Sequence, residues 1–227
     1  IIATGATVQK LGGGYGFTEG PVADASGNVF FTDQNNNQIL KWNAADKKIT
    51  VWLTPSGRSN GMDIDKDGNL IACADEKTEL WKIDKNKKVT VLLSGYNSKH
   101  LNGPNDVWVA PNGGMYITDP YFHRSWWSYW EMPQDKQCVY YLPPGGGALT
   151  RVISDFTQPN GIVGTPDGKT LYVADYGANK TYKYSILENG TLANKTLFCN
   201  LGSDGMAIDN LGNVYLTSGG VKVYNKA

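Results

Sequence analysis

Residues 62–75 read "MDIDKDGNLIACAD". Two apolar, β-rich runs flank the polar turn Asp65-Lys66-Asp67-Gly68-Asn69, with glycine where a tight hairpin needs conformational freedom. The stretch is a β-hairpin, and it recurs. Gly27 holds the same place in "VADASGNVFFTD", Gly113 in "VWVAPNGGMYITD", Gly168 in "IVGTPDGKTLYVAD" and Gly212 in "MAIDNLGNVYLTS". Successive glycines stand 41, 45, 55 and 44 residues apart. Each complete repeat continues with a third apolar run ("QILKWN", "ELWKID", "CVYYLP", "TYKYSI") and a fourth ("ITVWL", "VTVLL", "LTRVI", "TLFCN"). Four short strands in roughly 40–45 residues make one blade of a β-propeller. The chain is therefore read as all-β: one propeller domain over residues 1–227, built from four-stranded blades, with five repeats visible.

The ends and one insertion depart from the repeat. "TVQKL", residues 7–11, has the pattern of a fourth strand and is expected to complete the last blade, which removes exposed edges. The final repeat stops at "GGVKVYNKA", after about three strands. Five blades closed by the N-terminal strand, or a chain lacking about one C-terminal blade, both fit this pattern. The third repeat is lengthened by residues 120–137, "PYFHRSWWSYWEMPQDKQ", a loop expected to lie over the channel mouth. Long ordered loops of this kind are more often functional than filler.

Composition narrows the function. Basic and acidic residues balance at 21 each, so there is no electrostatic case for nucleic acid or an anionic membrane. No apolar run approaches the ~18 residues of a membrane span. Cys73, Cys138 and Cys199 form neither a disulfide framework nor a zinc pattern, and are expected as buried thiols. The chain opens without an initiator Met, as it would after removal of a leader or after trimming. A cytoplasmic and a periplasmic or secreted location both stay open.

Eight residues before each aligned glycine stand Glu19, Asn60, Asn105, Asn160 and Asp204. All five carry a side-chain oxygen, and all but Asn105 are followed by glycine; Asn105 is followed by Asp106. Equivalent positions in a propeller form a ring about its axis, so five oxygens are expected to converge at the channel mouth. Two carboxylates and three amides form a hard-oxygen set, which suits Ca²⁺ best; Mg²⁺, Mn²⁺ and Zn²⁺ stand as alternatives. Without a cation, Glu19 and Asp204 repel each other. The competing account is that Asn-Gly and Asp-Gly are turn dipeptides. Asp33, Asp75, Asp119 and Asp175, which close the second strand of four blades, are expected to accept backbone N–H groups in the loop that follows. In the insert, His123 is expected near the substrate. Arg124, Trp126, Trp127 and Trp130 are expected either as a lid that stacks on a sugar ring or as packing that holds the insert down.

These residues together resemble a known family. "TEGPV", "LNGPNDV", "TDPYF", "QPNGIVGTPDGKTLYVAD" and "SDGMAIDNLGNVYLT" are similar to the gluconolactonase / senescence-marker-protein (regucalcin) family, and more distantly to diisopropyl fluorophosphatase and paraoxonase. The resemblance runs from about residue 17 to 218. It implies a six-bladed propeller with one divalent cation, usually calcium, on the axis. It also implies that Glu19, Asn160 and Asp204 hold the metal, with Asn105 facing substrate or metal. Two features differ. Only five repeats are present, and Gly103 stands where animal members have an arginine that touches the sugar. The "NGPND" form is typical of bacterial lactonase-like members. The expected activity is metal-dependent hydrolysis of an aldonolactone such as glucono-1,5-lactone. Asp204 is the expected base or nucleophile, with cation-activated water as the rival. Asn60, Asn105, Asp106, His123, Arg124, Trp126 and Trp127 are expected around the substrate. Organophosphate hydrolysis at the same site, and a non-catalytic calcium-bound ligand-binding propeller, are the alternatives.

Overall fold

The computed structural model describes residues 5–225. The first sheet is β1 (Thr18–Ala23), β2 (Val29–Asp33), β3 (Gln38–Trp42) and β4 (Ile49–Leu53). The second is β5 (Ser59–Ile64), β6 (Leu70–Ala74), β7 (Glu79–Ile83) and β8 (Val89–Leu93). The third is β9 (Val107–Val109), β10 (Met115–Asp119), β11 (Cys138–Leu142) and β12 (Thr150–Ile153). The fourth is β13 (Pro159–Gly164), β14 (Thr170–Asp175), β15 (Lys180–Ile186) and β16 (Leu192–Cys199). The last is β17 (Met206–Ile208), β18 (Val214–Thr217) and β19 (Val221–Tyr224). Neighbours in sequence are neighbours in each sheet, all antiparallel. The architecture is the β-propeller that the repeat predicts. Among the described residues no helix is long and apolar enough to cross a membrane.

The turn glycines behave as their place in the repeat requires. Gly27, Gly68, Gly113, Gly168 and Gly212 all have φ between 69° and 87°, the left-handed region that other residues enter at a cost. An aspartate opens three of these turns and accepts two backbone N–H bonds: Asp24 from Ser26 and Asn28, Asp65 from Asp67 and Asn69, Asp209 from Leu211 and Asn213. Residues 65–69 thus form an ordinary Asx turn.

The core lies between blades rather than at one centre. Phe30, Ile39, Met62, Leu70, Ala72 and Ile83 fill the first interface, and Ile71, Cys73, Leu80, Val107, Ile117 and Leu142 the second. A larger cluster around Trp108, Tyr116, Ile162, Leu171, Tyr172, Val214 and Leu216 joins the third, fourth and fifth blades. Each buried side chain of this size contributes roughly 1.5–3 kcal/mol. Strand β6 is buried along its whole length because it is sandwiched on both faces. Cys73 and Cys138 are buried as expected, whereas Cys199 is only half-buried.

Two expectations are corrected. Residues 7–11 form no strand and lie exposed, with Val8 98% accessible, so they do not complete the last sheet, which has three strands among the described residues. The reason is local. Asp33 accepts the N–H groups of Gly16 and Phe17, and Tyr15 packs edge-on against Phe31, which ties the segment to the first blade. The strand-closing aspartates also point mainly the other way along the chain. Asp33, Asp119 and Asp175 accept pairs of backbone N–H groups from the loop before the innermost strand: Gly16 and Phe17, Asn102 and Gly103, Thr157 and Gln158. Only the amide of Asn36 and the N–H of Ala178 come from the loop that follows.

Adjacent blades are also stapled by acids. Asp63 accepts from Ile64 in its own strand and from Val109 in the next blade, both at 2.7 Å. Burial pushes its carboxyl up to about 6, against the two N–H groups that pull it down. The folded state therefore keeps a proton that the unfolded chain releases at its ordinary 3.8. Stability should fall as pH rises from about 4 to about 6, by up to about 3 kcal/mol from this residue. Urea midpoints at pH 4 and pH 7 test this. Asp63→Asn should flatten the difference, and an unchanged slope would contradict the assignment.

Candidate active site

Three of the five ring residues, Glu19, Asn60 and Asn160, sit where the innermost strands bulge. The β1–β2 register shifts between Glu19 and Val22, β5–β6 between Ser59 and Met62, and β13–β14 between Pro159 and Ile162. A bulge re-aims one side chain, here the residue before each glycine. The Glu-Gly and Asn-Gly pairs are therefore not hairpin turns.

Gly20, Gly61 and Gly161 are crowded by the neighbouring blade. A Cβ on Gly20 would lie 2.7 Å from Asn60 O, and one on Gly61 2.6 Å from Asn105 O. One on Gly161 would lie 3.2 Å from Asp204 O, and Gly205 faces Glu19 Oε2 at 3.6 Å. Each ring position thus abuts the next one around the axis. Backbone bonds follow the same path: Gly61 N–H donates to Asn105 O at 2.7 Å, and Gly161 N–H to Ser203 O at 3.2 Å. The third blade has no glycine here and uses Asp106 instead. Its carboxylate accepts Val107 N–H at 2.9 Å and, across the blade boundary, Ile162 N–H at 3.1 Å. Burial raises the Asp106 carboxyl well above its ordinary range, and Glu19 nearby adds to that. Expected beside the substrate, Asp106 has its oxygens engaged in joining two blades.

The other ring groups are poised differently. Asn60 and Asn160 are each 2% accessible, and their Oδ1 atoms are buried without a hydrogen-bond partner among the described residues. Asn160 Nδ2 donates to Asp204 Oδ1 at 2.9 Å. Glu19 accepts from Gly20 N–H at 2.6 Å, yet burial, with the charge of Asp204 second, pushes its carboxyl up to about 7. Unpaired buried carbonyl oxygens are rare and call for a reason. Beside two mutually repelling carboxylates, a hard cation is such a reason. Among the described residues no three His, Cys, Asp or Glu come together as metal ligands. The donor set that fits a cation is two carboxylates plus neutral amide oxygens.

The insert spans three blades. From the third blade it reaches the second, where Arg124 Nε donates to Asp75 Oδ2 at 2.7 Å and Trp127 Nε1 to Asp75 O at 2.9 Å. It reaches the fourth through Gln137 to Thr157 O, Gln158 to Tyr121 O, and Phe122 against Tyr176. Among the strand-closing aspartates, Asp75 is the one whose carboxylate takes side chains, Gln34 and Arg124, in place of backbone amides. Burial pushes it up to about 6 while Arg124 and Gln34 pull it down. Trp127 is 7% accessible and serves as packing. A Cβ on Gly103 would meet Trp127 Cη2 at 2.7 Å, so the indole fills the space of the side chain absent there. Trp126 stacks under Arg58 at 4.4 Å. His123 lies flat on Trp130 at 3.7 Å, with its Nε2 buried and unpaired among the described residues. None of these four insert residues, His123, Arg124, Trp126 or Trp127, lines the cleft that contains Asp204. That cleft is lined by Tyr176, Asp204, Thr217, Ser218, Gly219, Gly220 and Val221. Tyr176 and Ser218 escaped sequence reasoning, although each follows the residue that closes a second strand. A larger cleft at the hairpin-turn end has Asp65 and Asp67 as its acids, and the Asp65 carboxylate is committed to its own turn.

Residues 17–227 match the family described as the SMP-30/Gluconolactonase/LRE-like region, and the chain belongs to that family. A gluconolactonase of Zymomonas mobilis is 26% identical over 99% of this chain and 71% of its own. The solved structure of a gluconolactonase from Xanthomonas campestris superposes with a TM-score of 0.86 at 28% identity, over 93% of this chain and 73% of that one. A calcium-binding regucalcin from Agrobacterium tumefaciens shares the fold at 21% identity and a TM-score of 0.71, over 92% and 70% of the two chains.

Two substitutions test this geometry. Gly61→Ala forces a methyl group into the Asn105 and Asp106 backbone and should cost about 1–3 kcal/mol or more in urea unfolding. Arg124→Ala strands Asp75 as a buried, poorly paired charge and should cost about 3 kcal/mol, part of which Asp75→Asn should restore in the double variant. Equal stabilities of the single and double variants would show that the ion pair does not anchor the insert.

Proposed function

We propose that this member of the SMP-30/gluconolactonase family hydrolyses a sugar lactone at the axial ring. Glu19, Asn160 and Asp204 would hold a divalent cation there, with Asn60 or Asn105 completing the set. The observation that carries the reading is the pair of buried, unpartnered oxygens, Asn60 Oδ1 and Asn160 Oδ1, beside two carboxylates. An all-oxygen set favours calcium. The gluconolactonases of Zymomonas and Xanthomonas support the substrate class.

A cation bound in the ring supplies Lewis-acid polarisation of the lactone carbonyl. The chain's own groups handle the proton. Asn160 Nδ2–H occupies Asp204 Oδ1, which leaves Oδ2 as the acceptor. Asp204 removes a proton from water as the water oxygen bonds to the carbonyl carbon. The tetrahedral species then collapses, the ring C–O bond breaks, and the former ring oxygen takes the proton back from Asp204. The product is the open hydroxy acid. Glu19, fixed by Gly20 N–H, would serve as a ligand and not as the proton acceptor. Asp106 takes no part, since its oxygens hold Val107 and Ile162.

The test is hydrolysis of glucono-1,5-lactone followed by pH indicator and corrected for the spontaneous rate. Chelator should abolish turnover and calcium should restore it. Asp204→Asn should lower kcat by about 10²–10⁴-fold. Wild-type turnover in that variant would remove the proposed base, and indifference to chelator would remove the cation. A phosphotriester assayed in parallel separates lactone hydrolysis from organophosphate hydrolysis.

A further inference from the structure

We infer that Tyr176 is the platform on which the lactone's sugar ring rests, and that the cleft it shares with Asp204 and Ser218 is the ring-binding subsite. The inference deepens the lactonase reading and rests on it for the identity of the ring.

The cleft has a volume of about 360 Å³, within the range of about 300–1,000 Å³ usual for small-molecule sites. It opens at the end of the propeller where the ring residues lie, because β14 ends at Asp175 opposite the start of β13, and Tyr176 follows. Tyr176 is fixed at the backbone: its N–H donates to Gln158 O at 2.9 Å, and its carbonyl accepts Asn179 N–H at 3.1 Å. Gly202 packs against its Cα. Its ring meets Phe122 of the insert edge-on at 6.3 Å, an orientation of 68° that leaves a face uncovered. The residue is 48% exposed. An aromatic with a held backbone and an open face, beside the proposed base, is a stacking surface that needs no ordering when ligand arrives.

The opposite wall suits a polyol. Gly219 and Gly220, at φ of 59° and 120°, carry no side chains, and Ser218 N–H donates to Gly220 O at 2.9 Å. That wall offers backbone polar groups and the Ser218 hydroxyl. Thr217 is already committed, since its Oγ1 accepts Gly205 N–H and donates to Gly205 O. A sugar lactone matches the pair of walls. It lays a C–H face on Tyr176, turns hydroxyls to Ser218 and the glycine backbone, and presents its carbonyl to Asp204. Trp126 and Trp127 of the insert cannot do this work in the same cleft. Trp127 is buried against Asp75 and Gly103, and Trp126 lies against Arg58.

The experiment pairs kinetics with binding. With glucono-1,5-lactone, Tyr176→Ala should raise KM about tenfold with kcat within about threefold, whereas Tyr176→Phe, which keeps the flat face, should stay within about threefold of wild type. Calorimetric titration with D-glucono-1,5-lactam, which does not hydrolyse, reads the subsite independently of turnover. The lactam should bind the wild type and the Phe variant, and bind the Ala variant about tenfold more weakly. That result supports the subsite even if no lactone is hydrolysed, in which case only the lactonase reading fails. Equal lactam affinity in wild type and Tyr176→Ala, or no binding to the wild type, overturns the inference. If the Ala variant does not fold, Tyr176→Leu replaces it, since it keeps bulk without a planar face and should lose the same affinity.

Discussion

The structure depends on how closely its innermost strands approach one another around the axis. At Gly20, Gly61 and Gly161 the next blade's backbone lies where a side chain would begin. That contact leaves room for only one side chain per blade at the channel mouth, that of the residue before the glycine. The bulges in β1, β5 and β13 then turn that side chain toward its counterparts. The packing of the ring and the closeness of Glu19, Asn160 and Asp204 are one constraint seen from two sides. Glycine makes the approach sterically feasible, and the approach denies the amide oxygens of Asn60 and Asn160 any partner within the described chain.

The same crowding makes the axis electrostatically expensive. Glu19 feels Asp204, and Asp106 feels both Glu19 and Asp63, while burial raises the carboxyls of Glu19, Asp63 and Asp106. Two of these acids, Asp63 and Asp106, offset the cost by accepting N–H groups from a neighbouring blade. Glu19 has only the N–H of its own following glycine. These acids are therefore distinguishable by their partners. Those with cross-blade donors hold the propeller together. Among the described residues, Glu19 has no donor from another blade, and Asp204 takes only the side-chain amide of Asn160 across its boundary.

Much of this was legible because the repeat keeps a strict register. Five turn glycines placed the hairpins, and counting back eight residues found Glu19, Asn60, Asn105, Asn160 and Asp204 without any knowledge of contacts. What escaped depends on contacts between blades, which a one-dimensional pattern does not encode. The pattern of residues 7–11 suits a strand, but Asp33 anchors the following loop to the first blade. Trp127 and Arg124 have the composition of a sugar-binding lid, yet each is engaged with Asp75, a residue distant in sequence. The one readable hint was Gly103. Its lack of a side chain is the space that Trp127 fills.

These observations divide the entry face into a rigid part and an adaptable part. The ring is over-determined by steric contact, so its donors cannot be rearranged without disturbing five blades at once. The insert is held by side-chain bonds to the second blade and the fourth, and its sequence is free of the repeat. Substitution there changes which groups surround the mouth without touching the ring. Exchanging the backbone clip seen at Asp33, Asp119 and Asp175 for the Arg124–Asp75 pair is what lets one blade accept a foreign loop. On the proposed function, chemistry would reside in the element that cannot vary, and selection among substrates in the loops that can, including the one that carries Tyr176.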